Sequence, residues 1–420
     1  MISVIINALL YLLLFRYVWK KKKRLDCSVV LIGLWSLVAV MGVFHYIDEK
    51  HFHDHMTLLP FIYLFITFIV YIRYFINEKD KYSSVQRITY YRSNVMDVIC
   101  YLYIAAVILN IYNDGVTLSS LSTSSLMENG LDLYIDHFDR EVVYKGFLDH
   151  YSHTYEYYAY VIVLIASFNA LCQERYKFAL ILILVIVLNT LIKASATGGR
   201  NQVVALVTLI IGLYSLYYRF FTKKARHYFY MGSLVTGGFL LTYLMAITMS
   251  RFDDSDMGAG GSLVSYLGQP MLYFDYGIAD VDHGLYYGIR TFKNLAEIIG
   301  IKVPIKFDSD ILLGTHFGTA FTTNIGMLTL DFGYIGTLLF GIFLPWFMRK
   351  LYLYKGELTI PGLYIYIFFF NRMINGAFVN GSGSDYLYWQ AFMFYVILWV
   401  IVVVSMNGKK RNRELQFKMR

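Results

Sequence analysis

Thr197, Gly198, Gly199 and Arg200 follow one another where one apolar run ends and the next begins. A threonine can cap a helix, two glycines leave backbone N–H groups accessible, and an arginine in the first turn opposes the helix dipole by about 0.3–1 kcal/mol. That cost becomes an attraction once a phosphate arrives, because amides, dipole and guanidinium then converge on one anion. The same residues also read as a tight turn whose arginine reaches out to lipid headgroups. Arg251 closes the next apolar run, where the last carbonyls already favour a cation. Arg372, in Phe369-Phe370-Asn371-Arg372-Met373, falls inside an apolar run, where a lone charge costs about 2.5–3.5 kcal/mol on insertion scales. It needs a partner or a wet cavity. Asp331, the comparable acid on the preceding run, is the candidate partner, and both a structural ion pair and a role in a site fit the two residues.

Acids and imidazoles gather between these runs: Asp275, Asp280, Asp282, His283, Asp308, Asp310 and His316. A carboxylate or imidazole within hydrogen-bond reach of a hydroxyl can take its proton. Asp-x-Asp pairs at 254/256, 280/282 and 308/310 have a spacing that holds a divalent metal and a nucleotide diphosphate in some glycosyltransferases. So many carboxylates in one aqueous segment produce such pairs without any metal, and neither a metal nor a cofactor is expected. His51-Phe52-His53-Asp54-His55 reads as a solvated loop tip instead of a metal site. Gly-x-Gly-x-x-Gly, P-loop, His-Glu-x-x-His and Gly-x-Ser-x-Gly signatures do not occur, and a nucleophilic serine in Gly381-Ser382-Gly383-Ser384-Asp385 would still need a base.

The elements that must position these residues are membrane helices. With 57% hydrophobic and only 16% charged residues, a 420-residue chain has too little polar surface to cover a soluble globule. The net charge of +8 is parcelled into short stretches between apolar runs, which argues for a topological cause and against nucleic acid as a partner. Runs long enough to cross the hydrocarbon lie near 2–19, 28–47, 57–76, 95–112, 155–172, 178–194, 201–218, 229–250, 320–347, 359–378 and 386–406. The expected fold is therefore all-α, a single polytopic bundle over 1–420 of about eleven transmembrane helices. Its first run lacks a basic n-region and reads as a retained helix, not a signal peptide.

The Lys20-Lys21-Lys22-Lys23-Arg24 cluster fixes the direction, because basic clusters stay in the cytoplasm. The amino terminus is then outside and the carboxyl terminus inside. Well over half of the 37 lysines and arginines fall on segments assigned inside: the first cluster, 73–92, 175–177, 219–226, 349–355 and 409–420. Cys27, Cys100 and Cys172 fall at inner helix ends, so no disulfide is expected. Two outer segments, 113–154 and 251–319, are too long to be connectors and are expected to carry the function. The second opens on a flexible Gly258-Ala259-Gly260-Gly261 stretch. It then spaces Ile289, Phe292, Leu295 and Ile299 along one helical face, with Arg290, Lys293 and Glu297 off it, as in a short helix lying on the membrane surface.

Thr197-Gly198-Gly199-Arg200 opening a helix, Arg251 closing the next, and Asn324 to Leu330 leading into Asp331-Phe332-Gly333-Tyr334-Ile335-Gly336 together resemble the Wzy-type oligosaccharide repeat-unit polymerases of bacterial O-antigen and capsule assembly. The resemblance is strongest over 190–350. An arginine-x10-glycine pattern known in some members fits Arg372 to Gly383, while Arg251–Gly261 and Arg290–Gly300 fall one residue short. It implies a membrane glycosyltransferase of the bacterial inner membrane with its site on the periplasmic face. A growing glycan would pass from undecaprenyl pyrophosphate to a sugar hydroxyl of an incoming lipid-linked repeat unit. Arg200, Arg251, Arg290 and Arg372 would hold the diphosphate and glycan together with Thr197, Gly198 and Gly199, and the base would come from Asp282, His283, His316 or Asp331. Besides membrane lipid and the lipid-linked oligosaccharide, a chain-length regulator and a flippase are the partners that this resemblance implies. An O-antigen ligase shares the same chemistry and is the nearest alternative; a flippase or transporter is the alternative from another class.

Overall fold

The computed structural model describes residues 1–23, 26–48, 56–76, 87–90, 94–113, 146–197, 201–252, 258–279, 287–301, 323–352, 357–377, 386–408 and 415–416. In chain order the elements are α1 (Ile2–Lys22), α2 (Cys27–Asp48), α3 (Leu59–Ile76), β1 (Arg87–Tyr90), α4 (Asn94–Asn113), α5 (Phe147–Cys172), α6 (Tyr176–Thr197), α7 (Asn201–Tyr217), α8 (Lys223–Phe252), α9 (Gly258–Tyr273, continued by a π-helical stretch Phe274–Ala279), α10 (Ile289–Ile298), α11 (Asn324–Tyr352), β2 (Glu357–Leu358), α12 (Ile360–Asn375), α13 (Tyr386–Gly408) and β3 (Leu415–Gln416). This is a helical membrane protein. Six helices among the described residues, α1, α2, α3, α5, α6 and α11, are long and apolar enough to cross a bilayer. Each of the apolar runs falls on a helix, and the structure adds α9 and α10.

The chain divides into two compact units. The first, 1–84, 260–352 and 368–398, holds α1 to α3, nearly all of α9, α10, α11, the later part of α12 and the earlier part of α13. Lys20, Lys21 and Lys22 occupy the last turn of α1, where the helix dipole favours cations, and Lys23 ends it in a left-handed conformation. Asp26 then starts α2, its Oδ1 accepting from Val29 N at 3.0 Å and Ser28 Oγ at 2.6 Å. Between α1, α2 and α3 the core is aromatic: Trp35 stacks on Phe68 at 4.2 Å between centroids, and Tyr11 meets Phe65 edge-on at 5.1 Å.

The glycine-rich opening of the second outer segment is helical, not a flexible stretch: 258–261 are the first turn of α9. That helix packs into the unit. A Cβ on Gly268 would stand 2.5 Å from the Met41 carbonyl oxygen, so α2 and α9 touch backbone to backbone there. Leu272 joins Val4, Tyr46 and Phe61 in one buried cluster. Beyond it Asp275 accepts from Thr57 N at 2.8 Å and from Thr57 Oγ1, tying the π-helical stretch to the start of α3.

The second unit, 85–259, 353–367 and 399–420, holds α4 to α8 and the strands. The fifth helix begins at Phe147, inside the expected outer segment 113–154, because Asp149 to Tyr158 continue the helical pattern in polar form. Arg175 forks onto Asp97 with N–O distances of 3.1 and 3.2 Å, joining the α5–α6 turn to the start of α4. Strand β1 pairs parallel with β2, Ile88 opposite Leu358, and antiparallel with β3, Thr89 opposite Gln416. This small sheet is an addition to the all-helical expectation, and its β-branched and aromatic run Ile88-Thr89-Tyr90 suits a strand. Along α8, Leu234, Val235, Phe239 and Leu241 are exposed, a surface that matches hydrocarbon better than water.

Candidate functional site

In the first unit the polar chemistry centres on Asp331. Its side chain is 0% exposed, and Oδ2 accepts from Thr291 N at 2.8 Å and Thr291 Oγ1 at 2.5 Å. Thr291 is the third residue of α10, whose cap, Gly288, offers no side chain. The carboxylate therefore caps α10 from another helix, meeting both an orphan amide and the positive end of the dipole. The residues after it shape this contact. Gly333 takes φ 68 and ψ 179, which kinks α11 just beyond Asp331. A Cβ on Gly288 would lie 2.9 Å from the Phe332 ring, so glycine alone lets α10 seat there. Phe292 closes the contact against Phe332, Phe340 and Trp389, with centroids 6.0 to 6.3 Å apart.

This changes the reading of α10. Its most buried residues among those described are Thr291 and Asn294, and Ile299 lies beyond the helix and is exposed. A helix docked through a capped polar end is more than a flat surface cap. Arg290 belongs to its first turn, placed by backbone alone.

Arg372 is not in mid-helix. It stands in the last turn of α12, which ends at Asn375, and its guanidinium lies 5.6 Å from the Phe368 ring. The end of the helix explains why the charge is tolerated, through its carbonyls and a shorter reach to water. Among the described contacts Asp331 accepts from Thr291. Near the end of α12, Gly376 O accepts from Asn324 N at 2.8 Å, bringing the start of α11 to Arg372's turn.

In the second unit a polar network sits within α4, α5 and α6. Glu156, 2% exposed, accepts from Lys193 Nζ at 2.6 Å, Asn189 Nδ2 at 2.6 Å and Asn110 Nδ2 at 2.9 Å. Ser152 donates to Asn110 Oδ1, and Asn189 also reaches the Tyr103 hydroxyl. Tyr243 of α8 donates to Leu191 O at 3.1 Å and hydrogen-bonds Ser195, so α8 is held to the same stretch of α6. Arg251 closes α8 in this unit, also placed by backbone alone.

No protein-family model matches the chain, and no curated protein or solved structure does either. The site is therefore argued from its own residues. Thr197 does not cap the helix that follows: it is the last residue of α6, and α7 starts at Asn201. Ala194-Ser195-Ala196 sustains the helix up to the two glycines, which then stand where helices commonly end. Gly198, Gly199, Arg200, Asp282, His283 and His316 lie outside the described residues, as do the Asp-x-Asp pairs and the His51–His55 tip. Asp331, Arg290 and Arg372 belong to the first unit, and Thr197 and Arg251 to the second.

Glu156, Lys193, Asn110 and Asn189 escaped the sequence reading. Glu156 stood at the edge of a run counted as starting at 155, among tyrosines that resemble loop. The available signal was helical spacing: Asn189 and Lys193 are four apart on α6, and Ser152 and Glu156 four apart on α5.

Proposed function

We propose that the chain is a Wzy-type glycan polymerase, an eleven-span protein of the bacterial inner membrane with its amino terminus and its site on the periplasmic side. End contacts support this register. Strands β1, β2 and β3 join three segments whose basic residues assign them inside. Arg73 donates to Ile342 O and Arg349 lies over Tyr74, pairing the inner ends of α3 and α11. On the outer side Ser3 meets Met56, and Thr57 meets Asp275.

The observation that carries the function is the charge on α6: Lys193, paired to Glu156, lies one helical turn before Thr197, where the sequence Gly198-Gly199-Arg200 follows. A membrane chain rarely keeps ionised groups in its helices without a site to serve. In the reaction, the hydroxyl oxygen of the incoming repeat unit attacks the anomeric carbon of the growing glycan. The bond from that carbon to the diphosphate oxygen breaks, and the polyprenyl diphosphate leaves with the electron pair. Cations at the outer interface stabilise its charge, the candidates being Arg200 and Arg251 in the second unit and Arg290 and Arg372 in the first. Asp282, His283 or His316 takes the hydroxyl proton. Asp331 is a positioning residue that fixes α10 and with it Arg290.

Purified protein given the lipid-linked repeat unit should yield dimers and longer products, with Arg200→Ala yielding none and Arg200→Lys only part of the wild-type amount. Polymerisation should continue in a chelator. A normal product ladder from a stably expressed Arg200→Ala variant refutes the anion role, and labelling of a cysteine beside Thr197 from the cell interior refutes the topology. The half-buried Glu156–Lys193 pair also fits a transporter, whose substrate paths are lined by such pairs. The same reconstitution separates the two, because a transporter would move the lipid-linked unit without lengthening it.

A further inference from the structure

We infer that one face of α8 binds an anionic phospholipid, its headgroup against Lys223, Lys224 and Arg226 and its acyl chains along Met231, Leu234 and Val235. The inference goes beyond the polymerase reading and rests only on the chain being a membrane protein. It begins with cations in an unfavourable place. Lys223 and Lys224 are the first two residues of α8 and Arg226 is the fourth, so all three oppose the positive end of the helix dipole. Thr222 caps that end, accepting from Ala225 N at 3.1 Å. Lys20, Lys21 and Lys22, in the last turn of α1, are favoured by the dipole instead. A charge that only fixed topology would serve as well in a turn or at a carboxyl end. Among the described residues no carboxylate pairs with Lys223, Lys224 or Arg226. Asp97, at the same end of the unit, is forked by Arg175, and Glu174 is exposed in the α5–α6 turn. A phosphate at this end removes the conflict with the dipole.

Aromatic rings hold these cations, and the face then continues into an apolar surface. Lys224 Nζ lies 5.4 Å from the Tyr176 ring, Tyr176 packs on Tyr228 at 4.9 Å between centroids, and the Arg226 guanidinium stands 4.3 Å from the Tyr218 ring. Arg226 also donates from Nη2 to Tyr218 O at 3.2 Å, while its buried Nε has no hydrogen-bond partner among the described residues. Lys224, Tyr228, Met231 and Val235 follow at steps of four, three and four, so they share one face of α8. Tyr228, Met231 and Val235 are 39%, 51% and 70% exposed, so the face opens as it leaves the cations, with Leu234 exposed beside it. Gly238, a further step of three along, has nothing within 4 Å of the place a Cβ would take. From Lys224 to Val235 the helix rises about 17 Å, close to half of the ~30 Å hydrocarbon core. Cation, tyrosine and then exposed aliphatic side chains is the order in which one leaflet presents phosphate, interface and acyl chain. A soluble phosphate or an acidic peptide would use the cations and leave the apolar steps bare, whereas an amphiphile uses both. A zwitterionic headgroup would bring its own cation against three others, so the lipid is anionic.

The experiment is native mass spectrometry of the detergent-purified full chain, titrated separately with phosphatidylglycerol, phosphatidylcholine and inorganic pyrophosphate. Lys223→Gln/Lys224→Gln removes two charges from the α8 face, and Lys20→Gln/Lys21→Gln removes two exposed charges from the end of α1 as a control of equal charge. Size-exclusion and thermal-melting profiles verify that both variants fold. Wild type and the α1 variant should retain phosphatidylglycerol alike, at least fivefold better than phosphatidylcholine. The α8 variant should lose that preference, and Lys223→Arg/Lys224→Arg should keep it. Should the α8 pair fail to fold, Arg226→Gln alone should weaken retention at least twofold, and an unchanged value there overturns the inference. Equal retention by wild type and a folded α8 variant overturns it too, as does an equal loss in the two glutamine pairs, which leaves only diffuse charge. Phosphatidylcholine held as well as phosphatidylglycerol reduces the face to a hydrocarbon contact, and pyrophosphate held as tightly as the lipid makes it a phosphate site without acyl contact; either result overturns the inference. Polymer yield enters none of these readouts, so the polymerase reading stands or falls separately.

Discussion

The two units each bury a carboxylate almost completely, Asp331 at 0% and Glu156 at 2% exposure, and they satisfy it in opposite ways. Asp331 is met by the amide and hydroxyl of Thr291 at the start of α10. Glu156 is met by an ammonium and two side-chain amides from neighbouring helices. Backbone amides belong to a helix, so the first arrangement fixes where a helix sits. The Lys193 ammonium stands 2.6 Å from the carboxylate, so the second holds a cation beside a buried anion. A carboxylate thus serves placement in one unit and electrostatics in the other.

The largest effect should come from breaking the second arrangement. Glu156→Leu leaves the buried side-chain amides of Asn110 and Asn189 without their acceptor, and each unsatisfied buried donor costs about 1–3 kcal/mol. We expect little folded protein by size-exclusion, with the double Glu156→Gln/Lys193→Gln variant melting close to wild type. Equal melting of Glu156→Leu and wild type would remove the contrast between the units. Next comes close packing in the first unit. Gly268→Ala forces a methyl against the Met41 carbonyl, and overpacking of this kind costs about 1–3 kcal/mol, read as a lowered melting temperature. Asp331 tests placement against proton transfer. An asparagine oxygen still accepts from Thr291, so Asp331→Asn should keep much of the polymer yield, while Asp331→Ala should lose most of it and destabilise by about 1–3 kcal/mol through the unsatisfied Thr291 groups. Loss of all activity in a folded Asp331→Asn variant would instead make this carboxylate the base.

How much of this was legible in the sequence follows from what each residue depends on. The apolar runs became helices because length and hydropathy are local, and the basic clusters marked helix ends for the same reason. Lys20 to Lys22 lie in a last turn, and Arg349 and Lys350 in another. The Asp331-Phe332-Gly333 motif was visible, but its use was not, because its partner Thr291 lies forty residues away on a separate helix. Arg372 was read as buried in a span because the apolar run continues past it to Phe378, whereas α12 stops at Asn375. Glu156 and Lys193 were hidden by thirty-seven residues of separation, and each alone looks like a helix-end charge. The glycines at 258–261 misled in the other direction, since they form the first turn of α9 despite their weak helix propensity.

Glycine gives the smallest effect and the sharpest contrast of sign. A Cβ at Gly268 in α9 would collide with backbone, whereas one at Gly237 or Gly238 in α8 would meet nothing within 4 Å. Alanine at Gly237 therefore has no packing cost and restricts the unfolded chain, and alanine is favoured over glycine inside a helix by about 0.5–1 kcal/mol. Gly237→Ala should raise the melting temperature slightly and leave polymer yield unchanged. That outcome assumes lipid covers α8, as its exposed Leu234, Val235 and Leu241 suggest, because hydrocarbon chains rearrange around a methyl group. Were a second protein packed there, the glycine would be the close-approach surface, and the alanine would destabilise the complex while leaving the isolated chain more stable. Melting measured at two protein concentrations distinguishes these, since an effect on an association changes with dilution and an effect on the helix does not.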